Sequence, residues 1–117
     1  MKALGRHILL ELFGCDPGAL NDLEGLERAF IIAAEQSNAT VLKTAFHKFN
    51  PHGVSGVVII SESHLTVHTW PEHSYAAVDI FSCGDKMNVD RAIEFLKERF
   101  MSERVNSVEV KRGILDL

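Results

Sequence analysis

Cysteine is scarce in this chain of 117 residues, with only Cys15 and Cys83 present. The two lie far apart and form no Cys-x-x-Cys pair, which argues against a disulfide framework or a structural zinc site. Long apolar runs are missing too, and none approaches the roughly 20 residues needed to span a bilayer. Basic residues never cluster beyond isolated pairs such as Lys111-Arg112, and the formal net charge is −4. The electrostatic footprint of a nucleic-acid binder is therefore absent. The start, Met1-Lys2-Ala3-Leu4-Gly5-Arg6-His7, meets charge again before a hydrophobic segment of about 7 residues can form, so no secretory signal is read and a cytoplasmic location is expected. No linker, low-complexity tract or charge block divides the chain.

What remains is ordinary for a globular protein: 46% hydrophobic and 24% charged residues. The length predicts one domain over 1–117, small enough for a second subunit to complete a functional site, so a homo-oligomer is expected. Residues 6–13 alternate and are rich in Ile and Leu, which predicts a strand. Asp16 then stands as a helix N-cap with Pro17 at the first helical position. Leu20, Leu23, Leu26, Phe30 and Ala34 recur at helical spacing as far as Ser37-Asn38, predicting one helix of about five turns. Strands follow at 40–49, 54–61, 64–70 and 75–82, the first closed by Asn50-Pro51-His52-Gly53 and the middle pair broken near Ser61-Glu62-Ser63. After a turn at Cys83-Gly84-Asp85, Asn88 caps a helix with Val89, Ala92, Ile93, Leu96 and Phe100 on one face, and a last strand spans 104–111. Consecutive strands with short links pair antiparallel. The expected fold is α+β, a two-layer sandwich with a largely antiparallel sheet and two long helices on one face.

Chemistry concentrates between Phe46 and Cys83, a window holding five of the six histidines. His52 and His73 fall in turns. His64 and His68 are four apart in a strand, so they project from one face with Thr66 and Trp70. Paired histidines with Glu72 and Cys83 could serve zinc or copper, but no spacing matches a ligand pattern and no metal is expected. A Cys83 thiol paired with His68 for acyl transfer is a second possibility, without the local context of a cysteine hydrolase.

The run Phe49-Asn50-Pro51-His52-Gly53-Val54-Ser55-Gly56-Val57-Val58, then Glu62-Ser63-His64-Leu65-Thr66-Val67-His68-Thr69-Trp70-Pro71-Glu72, then Tyr75 to Gly84, closely resembles the prokaryotic S-adenosylmethionine decarboxylases. These are short, pyruvoyl-dependent proenzymes of polyamine synthesis. The opening from Leu4 to Cys15 also looks like the family's first strand. Three positions depart from the family pattern: Ser74 for glycine, Ser82 for threonine, and His73 for an aromatic.

The resemblance implies self-cleavage between Glu62 and Ser63, giving chains 1–62 and 63–117. Ser63 would attack the Glu62 carbonyl to form an ester, and elimination and hydrolysis would leave a pyruvoyl group derived from Ser63. His68 would accept the Ser63 Cα proton during processing, with Ser55 assisting near the oxyanion; imidazole titrates close to working pH. In turnover the pyruvoyl would form a Schiff base with the substrate amine, and Cys83, a thiol largely protonated near neutrality, would donate the proton that replaces carbon dioxide. Phe49 and Trp70 would stack on adenine, and Glu72 would accept from ribose hydroxyls. Family members are dimers or higher oligomers with sites near a subunit interface. The implied product, decarboxylated S-adenosylmethionine, feeds spermidine synthesis. A decarboxylase of the same family acting on arginine or ornithine stays open, because Ser63, His68 and Cys83 serve any α-amino acid. A non-enzymatic partner subunit would have no need to keep all three. Cys15 is read as packing.

Overall fold

Strict alternation builds the first strand, β1 (Lys2–Phe13), in which Ile8, Leu10 and Leu12 point one way and His7, Leu9, Glu11 and Phe13 the other. The computed structural model describes residues 2–84 and 86–115, without the Lys2 side chain. Asp85, the third residue of the expected turn after β5, lies outside the described residues. β1 is followed by α1 (Pro17–Leu20), α2 (Leu23–Gln36), β2 (Val41–Lys48), β3 (Val54–Ile60), β4 (Ser63–Trp70), a 3-10 turn (Pro71–His73), β5 (Tyr75–Cys83), α3 (Val89–Arg99) and β6 (Arg104–Leu115).

The single five-turn helix expected after Asp16 is two helices. Asp16 caps α1, accepting from the Ala19 amide at 3.3 Å, and Asp22 caps α2, accepting from the Gly25 amide at 3.1 Å. Two side-chain caps six residues apart satisfy two separate sets of free amides, so the backbone restarts at Asn21-Asp22 although the leucine stripe continues in phase. Asn88 caps α3 as expected, accepting from the Arg91 amide at 3.1 Å. The first and last strands run longer than their apolar patterns predicted, because β1 and β6 pair to Lys2↔Leu115.

Six antiparallel strands stand in the order β2-β3-β4-β5-β1-β6. The inward residues of β1, β3, β4 and β5 meet Leu26, Phe30, Ala33 and Ala34 of α2 and Val89, Ala92 and Leu96 of α3 in one core. Phe30 is fully buried, and trimming it to alanine would cost about 3–5 kcal/mol. Close approach also fixes Gly56, since a Cβ there would clash with the Phe46 ring. Helices cover one face, giving the two-layer α+β sandwich that the pattern predicted. The other face is open and carries His64, Thr66, His68 and Trp70 together, with exposed Leu9, Ile59, Val108 and Val110. No helix among the described residues is long and apolar enough to cross a membrane.

Candidate active site

The β3–β4 hairpin closes at Ile60↔Ser63, leaving a loop of only Ser61 and Glu62. Two-residue hairpins favour turns whose twist matches the strands, with a positive φ at the first loop residue. Here only the second loop residue has one: Glu62 sits at φ 75. That is the glycine position of a type II turn, and a glutamate there costs about 1–2 kcal/mol. The Ser61 amide donates to the Thr40 carbonyl at 2.9 Å and anchors the turn to the segment before β2. The expected break at Ser61-Glu62-Ser63 is thus a strained loop followed at once by β4, which already includes Ser63.

Ser63 lies in the helix-facing series of β4 with Leu65, Val67 and Thr69. Its Oγ is buried and has no hydrogen-bond partner. Buried hydroxyls are nearly always paired, so an orphan of this kind calls for a role. A cavity of about 210 Å³ opens beside it, lined among others by Glu62, Ser63, Ser82, Cys83 and Lys86. Cys83 is a free, partly exposed thiol at the end of β5. Cys15, by contrast, is buried in the core, and desolvation pushes its thiol pKa up despite a hydrogen bond with Ser102.

The other expected residues sit elsewhere in the chain. Ser55 and His68 face each other across β3 and β4, with Ser55 Oγ and His68 Nδ1 2.8 Å apart, at an open recess of the sheet face. Five residues of extended strand separate Ser63 from His68, so they stand about 17 Å apart on opposite faces of the sheet. Phe49, Trp70 and Glu72 lie at that far end too. Phe49 packs edge-on against His47 with centroids 4.7 Å apart, and Trp70 stacks on Tyr75 at 5.3 Å. Both rings are substantially exposed. Glu72 Oε1 meets His52 Nε2 at 3.2 Å. A hydrogen bond from its own backbone amide, seconded by the charges of His52 and His73, holds this carboxyl below the usual range. One chain therefore joins Glu62, Ser63 and Cys83, and separately Ser55 and His68 near Phe49, Trp70 and Glu72. A Cys83–His68 dyad is not assembled within the chain, because His68 pairs with Ala77, six residues before Cys83.

Several contacts were not foreseen from the sequence. Asp79 accepts from Thr66 at 2.9 Å and meets His7 Nε2 at 3.1 Å on the open face. Trp70, Tyr75 and Phe13 stack in series across three strands, and the Arg104 guanidinium lies 4.4 Å over Phe13. Ser82 is the cross-strand partner of Ser63. That pairing was available in principle: Trp70↔Tyr75 closes the turn, and stepping back from it residue by residue brings 63 opposite 82.

Fold and site together define a class, the small two-layer α+β proteins that keep a buried, unpartnered serine at a strand turn. Within it the chain belongs to the S-adenosylmethionine decarboxylase family, whose model matches residues 6–113. It is 55% identical over 116 residues to the S-adenosylmethionine decarboxylase proenzyme of Clostridium tetani, spanning 99% of this chain and 92% of that one. The proenzyme of Acetivibrio thermocellus is 53% identical over 116 residues, spanning 99% and 94%. Among solved structures, the adenosylmethionine decarboxylase of Aquifex aeolicus superposes with a TM-score of 0.91 at 34% identity, covering 99% of this chain and 96% of that one.

Proposed function

We propose that this chain is a self-processing decarboxylase of S-adenosylmethionine, active once it is cut between Glu62 and Ser63. The observation that carries the reading is the buried, unpartnered Ser63 Oγ directly after a left-handed Glu62. A nucleophile without a competing partner and a carbonyl in a strained turn both favour attack on that peptide bond. The residues fit a pyruvoyl group, since its ketone carbon would be the former Ser63 Cα, a backbone atom at the end of the sheet beside the cavity that Cys83 also lines. Such a group supplies an electron sink for the pair released when carbon dioxide leaves. Cys83 holds the proton that must return to the substrate carbon. Phe49 and Trp70 offer flat apolar faces to adenine, and Glu72 offers a carboxylate to ribose hydroxyls.

Ser55 and His68 reach Ser63 only from a second copy of the chain. The separation of about 17 Å within one protomer supports this, because an extended strand cannot fold back on itself. So does the open sheet face, where apolar Leu9, Ile59, Val108 and Val110 surround the polar residues and await a cover. A dimer stacked through that face brings the His68 of one protomer toward the Ser63 end of the other.

Intact mass spectrometry tests the reading. Two species split between Glu62 and Ser63 are expected, the second with a blocked, carbonyl-reactive N-terminus, and Ser63→Ala should leave one whole chain. A wild-type protein that stays whole would refute it. Carbon dioxide release should be faster from S-adenosylmethionine than from arginine or ornithine; equal turnover of either amino acid would overturn the substrate assignment.

A further inference from the structure

We infer that Ser82 is a positioning residue for self-cleavage, its hydroxyl accepting the hydrogen bond of Ser63 Oγ–H and aiming that oxygen at the Glu62 carbonyl. The role rests on the cleavage reading above. Sheet register places it there: Ser63 pairs with Ser82 across β4 and β5, and both side chains belong to the helix-facing series. Directly paired residues hold their Cβ atoms about 4.5–5.5 Å apart. Two hydroxyls so placed come within hydrogen-bond distance by χ1 rotation alone, without backbone movement.

Both oxygens are free to make that bond. Ser63 Oγ is buried with no partner, and Ser82, 3% exposed, makes no side-chain hydrogen bond among the described residues. On its other flank Ser63 pairs with Ile60, which has no polar side-chain atom. Asn38 and Lys86 also line the cavity, but they sit outside the strands, whereas a central strand fixes Ser82.

The step balances without a co-reactant. Ser63 Oγ bonds to the Glu62 carbonyl carbon, the Glu62–Ser63 carbon–nitrogen bond breaks, and the Oγ proton ends on the released Ser63 amine. Ser82 neither gains nor loses a proton overall; it selects the rotamer in which a lone pair of Oγ faces the carbonyl.

Threonine and valine separate the hydroxyl from its shape, since they share volume and branching. Freshly translated precursors of wild type, Ser82→Thr and Ser82→Val are followed by intact mass, with thermal unfolding as a check on folding. Cleavage of Ser82→Thr is expected within about twofold of wild type. Ser82→Val should be about tenfold slower, the order of one lost hydrogen bond. Its uncut chain should resist hydroxylamine, which cleaves esters, because the defect precedes ester formation. Ser82→Val cleaving at the Ser82→Thr rate, or accumulating hydroxylamine-sensitive ester, overturns the role of Ser82 while leaving self-cleavage standing. A wild-type chain that never cleaves overturns both.

Discussion

Tyr75 is the only tyrosine in the chain, and its environment makes a single measurable statement. Its hydroxyl donates to Glu11 Oε1 at 2.6 Å while its ring backs Trp70. Desolvation first, then the hydrogen bond and charge of Glu11 and the charge of Asp79, push its pKa up to about 12. An acid whose folded pKa lies above its unfolded value of about 10 keeps its proton longer in the native state. Stability is therefore full below pH of about 10 and falls as pH rises through the window between about 10 and 12. Tyrosinate absorbance should titrate with a midpoint near 12 in the folded protein. In Glu11→Gln, which keeps an acceptor but removes the anion, the midpoint should move down toward the ordinary value. A wild-type midpoint at the ordinary value would mean that neither the burial of the hydroxyl nor the Glu11 contact is present. The facing of His64 and His68 was legible at this scale, since strand period settles it. The Tyr75–Glu11 bond was not, because it joins strands 64 positions apart and depends on the register of β1 against β5.

At the scale of elements, β5 shows why the sheet could be read: Ala76, Val78, Ile80 and Ser82 alternate without a break between less buried neighbours. The helices were harder. Leu20, Leu23 and Leu26 hold one helical phase through the interruption, so periodicity sees a single helix where two caps make two. The edge strand β6 extended further than its pattern because pairing with β1, not burial, defines it. Turn chemistry makes a prediction here. The 3-10 turn before β5 ends on Ser74 at φ 50 and ψ 38, a left-handed conformation that glycine adopts without a Cβ penalty. That is a physical reason for the glycine that the family resemblance leads one to expect at this position. Ser74→Gly should raise stability by about 0.5–1 kcal/mol, whereas Asp22→Ala, which strips the cap of α2, should lower it by about 1 kcal/mol. Urea unfolding of Ser63→Ala backgrounds, which stay uncut, gives both differences cleanly; an Asp22→Ala protein as stable as its parent would show that α2 starts without this cap.

For the whole molecule, the cut proposed between Glu62 and Ser63 falls where the sheet could bear it. The first segment supplies β1, β2 and β3 and the second β4, β5 and β6, yet β1 lies between β5 and β6. Both pieces would thus be interleaved by hydrogen bonding and share one core, so a protein cut there should hold together. What the motif alone did not supply was which chain's His68 serves Ser63: the two are neighbours in sequence, yet strand rise and period set them about 17 Å apart on opposite faces of the sheet. If the site is completed between two protomers, two inactive chains should repair each other. Ser63→Ala keeps Ser55 and His68 but has nothing to cleave, while His68→Ala keeps Ser63 but offers no base to its partner. In a mixed dimer, the Ser63→Ala protomer presents an intact His68 to the intact Ser63 of the other. Random pairing at equal expression puts about half of the His68→Ala chains in mixed dimers, so about half of them should be cut. Co-expression of differently tagged chains and intact mass spectrometry read that fraction directly. If His68 acted within its own chain, neither variant could rescue the other, and the His68→Ala chains would stay whole in the mixture.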